Sequence, residues 1–155
     1  MILGALAFWI SGSLILDLVV MPSMYITGMM TQSDFVSAGS VMFSLFNRVE
    51  MLCAAISLTG LLALAATLPE GFSDRLRTVT MLSLFLLGVT LICGYSLTPE
   101  MAGLGLSLNL FDVSEVAPEG MNQLHFQYWS LESLKLLTAG AIATWCLRAF
   151  KFAES

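Results

Sequence analysis

The sequence predicts an all-α fold: an integral-membrane four-helix bundle with both termini cytoplasmic. Three observations carry this prediction. Of the 155 residues, 57% are hydrophobic and only 11% charged, where soluble domains average about 25% charged. The apolar residues gather into four runs, each long enough to cross a bilayer as one helix. Outside those runs the basic residues, Arg75, Arg77, Arg148 and Lys151, fall only in the middle connector and the tail, the asymmetry of cytoplasmic segments. The chain 1–155 reads as a single membrane domain with spans at 2–27, 37–68, 78–97 and 122–147.

The first span contains Asp17, and Ser13, Asp17, Met21, Met24 and Gly28 share one of its faces. Pro22, near the outer end, is expected to kink or loosen the helix. The chain opens with MILGALAFWI and has no positive n-region, and its first apolar run continues through Val20. The first segment is therefore expected to be retained as a helix rather than removed as a signal peptide.

The second span carries Arg48 and Glu50, two residues apart and so roughly 200° apart around the helix. Asn47 lies between them in angle, and Ser44 sits beside Arg48. Further along, Ala55, Thr59 and Ala63 form a small-residue row expected to let a neighbouring helix approach closely. The third span has no formal charge and is expected to end at Thr98-Pro99.

Residues 99–121 form the longest connector, acidic through Glu100, Asp112, Glu115 and Glu119. In it Leu104, Leu106, Leu108 and Leu110 alternate with small or polar residues. A lone strand is implausible at a membrane, so this loop is expected to lie as an ordered cap on the outer surface.

The fourth span holds the only histidine, His125, followed by Tyr128, Glu132 and Lys135. At 100° per residue these four fall within roughly an 80° arc, a polar stripe that cannot face lipid cheaply. Asp17, Arg48, Glu50, Glu132 and Lys135 all fall roughly 12–18 Å below the outer surface by helical rise. Mutual pairing is expected, Arg48 with Asp17 or Glu132, and Lys135 with Glu50 or Glu132. Asp17, Asn47, Arg48, Glu50, Tyr128, Glu132 and Lys135 thus form the expected intramembrane polar cluster. Its five formal charges sum to −1, and the odd carboxylate needs a proton, water or a cation.

His125, Met21 and Met24 are candidate ligands near the outer mouth of that layer. Imidazole and thioether donors suit copper, Cu(I) especially. Haem would need a second axial ligand other than histidine, and chlorophyll ligation at His125 would need a photosynthetic membrane. The sequence requires none of these cofactors. Cys53, Cys93 and Cys146 lie in apolar stretches without CxxC spacing, so they read as buried small hydrophobes. The net charge of −5 and a pI near 4.6 argue against nucleic-acid partners. No nucleotide loop, nucleophile elbow or zinc-protease motif occurs, which argues against an enzyme.

Several short motifs together resemble a known family. Trp9 and Gly12 with the following Pro22, the stretch FSLFNRVEM at 43–51, LTPEM at 97–101 and LHFQYWSLESLKLL at 124–137 are similar to a four-helix membrane family. It is the domain-of-unknown-function family 4149, which includes transmembrane-protein-205-like proteins. The chain departs from that pattern after the histidine, with Phe126 in place of a small residue and Tyr128 in place of a serine. The resemblance implies a membrane four-helix bundle and no established chemistry; a looser likeness to copper-resistance membrane domains accompanies the copper alternative. The functional expectation is a non-enzymatic accessory or scaffolding subunit of a bacterial inner membrane or thylakoid-type membrane. Its partners would be the lipid bilayer and a larger complex or homo-oligomer met through loop 99–121. The alternative is a small transporter or a protein that handles ions or protons.

Overall fold

A computed structural model describes residues 1–28, 35–67, 73–103 and 120–154, and among them the secondary structure is helical, with no strand. Helix α1 (Ile2–Ile15) passes into a π turn at Leu16–Val20 and then α2 (Met21–Ile26). Helix α3 spans Phe35–Thr67. Helix α4 (Ser73–Ile92) passes into a second π turn at Cys93–Leu97 and continues as α5 (98–103). Helix α6 spans Met121–Glu154. Three stretches are long and apolar enough to cross a membrane: Ile2–Met24, Ser37–Thr67 and Asp74–Gly103.

The third of these differs at both ends from the span expected at 78–97. It starts earlier, where Asp74 in the first turn complements the helix dipole. It also continues through Pro99, and the π turn explains how. Proline has no N–H and cannot donate to the carbonyl four residues back. Widening the preceding turn lets the Thr98 N–H bond the Cys93 carbonyl, five residues back, so the chain stays helical past the proline. The same device precedes Pro22, where the Met21 N–H bonds the Leu16 carbonyl. Each π turn therefore ends two residues before a proline.

The buried positions explain the packing. They are Leu6, Trp9, Ser13 and Leu16 on the first rod, and Asn47, Glu50, Ala54, Ser57 and Leu61 on α3. From α4 into its π turn they are Leu76, Val79, Ser83, Leu86, Thr90, Cys93 and Leu97, and on α6 Tyr128, Glu132, Lys135, Ala139, Ile142 and Cys146. Steps of three and four alternate throughout, which is the seam of left-handed, shallow-angle helix packing. Helix α1 packs against α3 and α6, and α4 against the same two. Among the described residues no close backbone approach crosses from α1 to α4 or from α3 to α6. The four long helices thus surround one interior in the order α1, α3, α4, α6.

Their outer faces are apolar as well: Phe8 is 65% exposed, Leu52 63% and Leu137 73%. Helices apolar on every side belong in a protein core or in a membrane, and nothing in the described chain covers these faces. The fold is that of a membrane-associated helical protein.

The row Ala55, Thr59 and Ala63 lies on the outside of α3, not at a helix contact. It sits one or two residues off the buried line through Ala54, Ser57 and Leu61, and each residue of offset turns the helix face by about 100°. The close approaches occur at glycines instead. A Cβ on Gly60 would lie 2.5 Å from Ile2 Cγ1, and one on Gly12 would lie 3.2 Å from Phe46 Cε2. The leucine-alternating part of the expected outer cap, 104–110, lies outside the described residues.

Candidate functional site

The interior of the bundle holds an acid–base cluster, assembled from three helices. Lys135 on α6 is 1% exposed and Glu50 on α3 is fully buried. The Lys135 ammonium donates to Glu50 Oε2 at 2.6 Å. It also lies 2.6 Å from Oε2 of Glu132, three residues earlier on the same helix. Both contacts are close ion pairs, and the one to Glu50 also has hydrogen-bond geometry.

Glu50 receives further donors from α1. Trp9 Nε1–H donates to its Oε1 at 2.8 Å, and the Ser13 hydroxyl approaches the same oxygen at 3.5 Å. Both carboxylate oxygens of Glu50 are therefore engaged. Asp17, in the first π turn and one turn beyond Ser13, is buried and within Coulombic reach of Glu132 and Lys135. The Lys135 ammonium also stands 5.8 Å from the centroid of the Tyr128 ring, within cation–π range. Phe43 meets that ring edge-on, at 5.7 Å and 78°. Asn47, one turn from Glu50 on α3, donates to the Thr98 hydroxyl at 2.6 Å, and its own Oδ1 has no partner.

The structure thus brings together Asp17, Glu50, Tyr128, Glu132 and Lys135, with Asn47 buried beside them. It does not bring in Arg48, which is exposed on the outside of α3 and has no partner among the described residues. The expected pairs of Arg48 with Asp17 or Glu132 are absent for a simple reason. The buried line runs through positions 47, 50 and 54, and position 48 is turned about 100° away from Asn47. The balance changes with it. Glu50 and Glu132 share one ammonium and Asp17 lies near them without an ion pair among the described residues, a formal charge of −2 where the sequence alone suggested −1.

Of the candidate ligands, His125 is exposed on α6, and Met21 and Met24 are half-buried on α2. Among the described residues no three His, Cys, Asp or Glu side chains form a group able to hold a metal ion. Cys53, Cys93 and Cys146 are buried and free.

Trp9, Ser13 and Thr98 belong to the site as well; the sequence places Ser13 on the Asp17 face, and Trp9 and Thr98 in family-like motifs, without assigning them to the polar cluster. Trp9 and Ser13 do carry a signal, since with Asp17 they recur every four residues on one helix face. A buried indole also needs an acceptor for its N–H.

Compared with known protein families, curated proteins and solved structures, the chain matches none. The chemistry must be read from the cluster itself. Glu50 is held by donors from α1 and α6 and is fixed in place. Glu132 is held by the Lys135 ammonium alone, and Asp17 makes no ion pair among the described residues, so these two are the less restrained acids.

Proposed function

We propose that the protein is a four-helix integral membrane protein that takes up and releases a proton at Asp17 and Glu132. In this reading α6 is the fourth span, and Arg75, Arg77, Arg148 and Lys151 place both termini and the middle connector on the cytoplasmic side. The family resemblance in 43–51, 97–101 and 124–137 and a bacterial inner or thylakoid-type membrane belong to the same proposal.

One observation carries it: three buried carboxylates lie inside an apolar bundle with a single ammonium among the described residues, and that ammonium pairs with only two of them. An uncompensated carboxylate in a low-dielectric interior is costly. Lys135 balances one of the three, and protons are the smallest cations that can balance the others. A proton needs no coordination geometry, which suits a cluster whose acidic groups come from three separate helices. Intramembrane acids paired in this way are the usual parts of proton pathways. The expected outer partner surface falls mostly on residues that the structure does not describe, so the cluster rather than the loop supports the functional reading.

The test is reconstitution into neutral-lipid vesicles loaded with a pH-sensitive dye, followed by an external pH step. The wild-type protein should carry protons faster than empty vesicles do, and Glu132→Gln should slow the response at least about tenfold, as loss of a positioned proton carrier does. Glutamine keeps the shape of the side chain, so the bundle should still assemble. A wild-type rate equal to that of empty vesicles, or an unaltered rate in folded Glu132→Gln, would overturn the proposal.

A further inference from the structure

Two buried hydroxyls away from the acid cluster stand out by what they do not do. In this chain the side-chain hydroxyls within helices usually turn back onto a carbonyl one turn earlier. Thr59 bonds Ala55, Thr80 bonds Leu76, Thr138 bonds Leu134 and Thr144 bonds Gly140. The same refuge is open to Ser57 on α3 and Ser83 on α4. Neither takes it: both residues are fully buried, and neither hydroxyl has a hydrogen-bond partner.

Counted from the helix ends, these two serines fall within about a turn of the same level. Ser57 lies ten residues before Thr67, the end of α3, and Ser83 lies ten residues after Ser73, the start of α4. In two neighbouring antiparallel helices, equal distances from the connector put residues at the same height. Both also lie on the three-four line of core positions, so both face the interior. The buried side chains near them offer no acceptor. Ile142 is seven residues beyond Lys135, as Ser57 is beyond Glu50, so those two come level as well. Ile142, Leu61 and Val79 near them are buried and apolar. A buried hydroxyl without a partner carries an uncompensated desolvation cost, and two at one level on adjoining helices give that cost a common remedy. A small molecule that both donates and accepts satisfies the pair, and water is the one that a bundle interior holds routinely.

We propose that Ser57 and Ser83 together bind one internal water between α3 and α4, at a site separate from the acid cluster. The site lies two turns beyond Glu50, about 10 Å along the helix. Its existence does not depend on the proton reading. The water bridges the two helices by hydrogen bonds at a level where their other core contacts are apolar.

The experiment is a double-mutant cycle on the whole protein in mild detergent. It uses Ser57→Ala, Ser83→Ala and the pair, read as the midpoint of thermal unfolding. Ser133→Ala serves as reference: Ser133 is exposed and bonds only the Trp129 carbonyl of its own helix, so it reports the change in helix propensity together with the loss of one local bond. Relative to that reference, each single variant should lower the midpoint by a few degrees. The double variant should fall no further than the worse single, because both lose the same water. Midpoints that rise or stay level would show that the hydroxyls are dry, since replacing an unsatisfied buried hydroxyl by a methyl is favourable. Fully additive falls would show two independent sites. Either result overturns the shared water.

Discussion

At the end of the bundle holding Leu6, Leu61, Leu76 and Ile142, the interior is filled by aliphatic side chains, and α1 is drawn onto α3 at Gly60. At the end holding Asp17, Glu50, Glu132 and Lys135, the same helices present charges to one another and two of them loosen into π turns before a proline. Both regions use the same spacing of core positions, so helix packing alone does not distinguish them. Bonding tolerance does. Aliphatic contacts are non-directional, and their loss costs in proportion to the volume removed. A buried charge needs a specific partner, and loses most of its support when that partner goes. The apolar end therefore sets the packing, while the charged end is where one residue decides the balance of a whole layer. π turns are rare and frequent at functional sites, and here Asp17 belongs to one.

The comparison is broken most severely at Lys135. Lys135→Met keeps the length and the apolar stem but removes the cation that Glu50 and Glu132 share. The expected loss is about 3–5 kcal/mol of folding free energy, typical for breaking one side of a buried ion pair. Unfolding in a denaturing detergent titration measures it. Adding Glu50→Gln in the same chain should restore part of the loss, because one uncompensated charge disappears with the partner. If Lys135→Met costs less than about 1 kcal/mol, the range of an exposed pair, the cluster is hydrated rather than buried.

Much of this layer was legible in the sequence, and the exceptions follow from geometry. Glu132 and Lys135 are three residues apart on one helix face, so their pairing follows from helical rise and twist. Glu50 was readable as buried because its neighbours at 54, 57 and 61 continue the same line. Arg48 was grouped with the cluster by depth alone, and depth does not report the angle around the helix. The row of Ala55, Thr59 and Ala63 failed in the same way, since small residues permit a close approach without specifying which helix face is used. A stop at Pro99 follows from a simple rule that assumes an α-helical turn before the proline. The π turn removes that assumption, and no residue type announces a π turn. Which carboxylate takes the hydrogen bonds from Lys135, Trp9 and Ser13 depends on contacts between helices distant in sequence.

The apolar end can be probed by adding a single carbon. In Gly60→Ala the new Cβ would lie 2.5 Å from Ile2 Cγ1 and 3.0 Å from Ile2 Cδ1, so the two helices cannot keep their spacing. Overpacking of this kind costs about 1–3 kcal/mol. The value should fall near the lower limit, because Ile2 stands at the first position of α1 and can tilt away. The same denaturation series measures it, and Ile2→Ala in the Gly60→Ala chain should recover most of the loss. A loss that persists with Ile2 shortened would place the conflict elsewhere than at this contact.

The smallest effect belongs to the face that neither end uses. Thr59 is exposed, and its hydroxyl bonds the Ala55 carbonyl 2.8 Å away. Thr59→Leu removes that local bond, improves helix propensity and places an apolar side chain on an already apolar exterior. These terms oppose one another and touch no core contact, so stability should move by no more than about 0.5 kcal/mol. Thermal unfolding and light scattering in mild detergent, taken together, test the assignment of this face to lipid. A chain that keeps both its midpoint and its mass agrees with lipid at Thr59. A large fall in the midpoint accompanied by a smaller assembly would mean that a second copy packs on the Ala55–Thr59–Ala63 row, because leucine would hold the two backbones apart where the small residues let them meet.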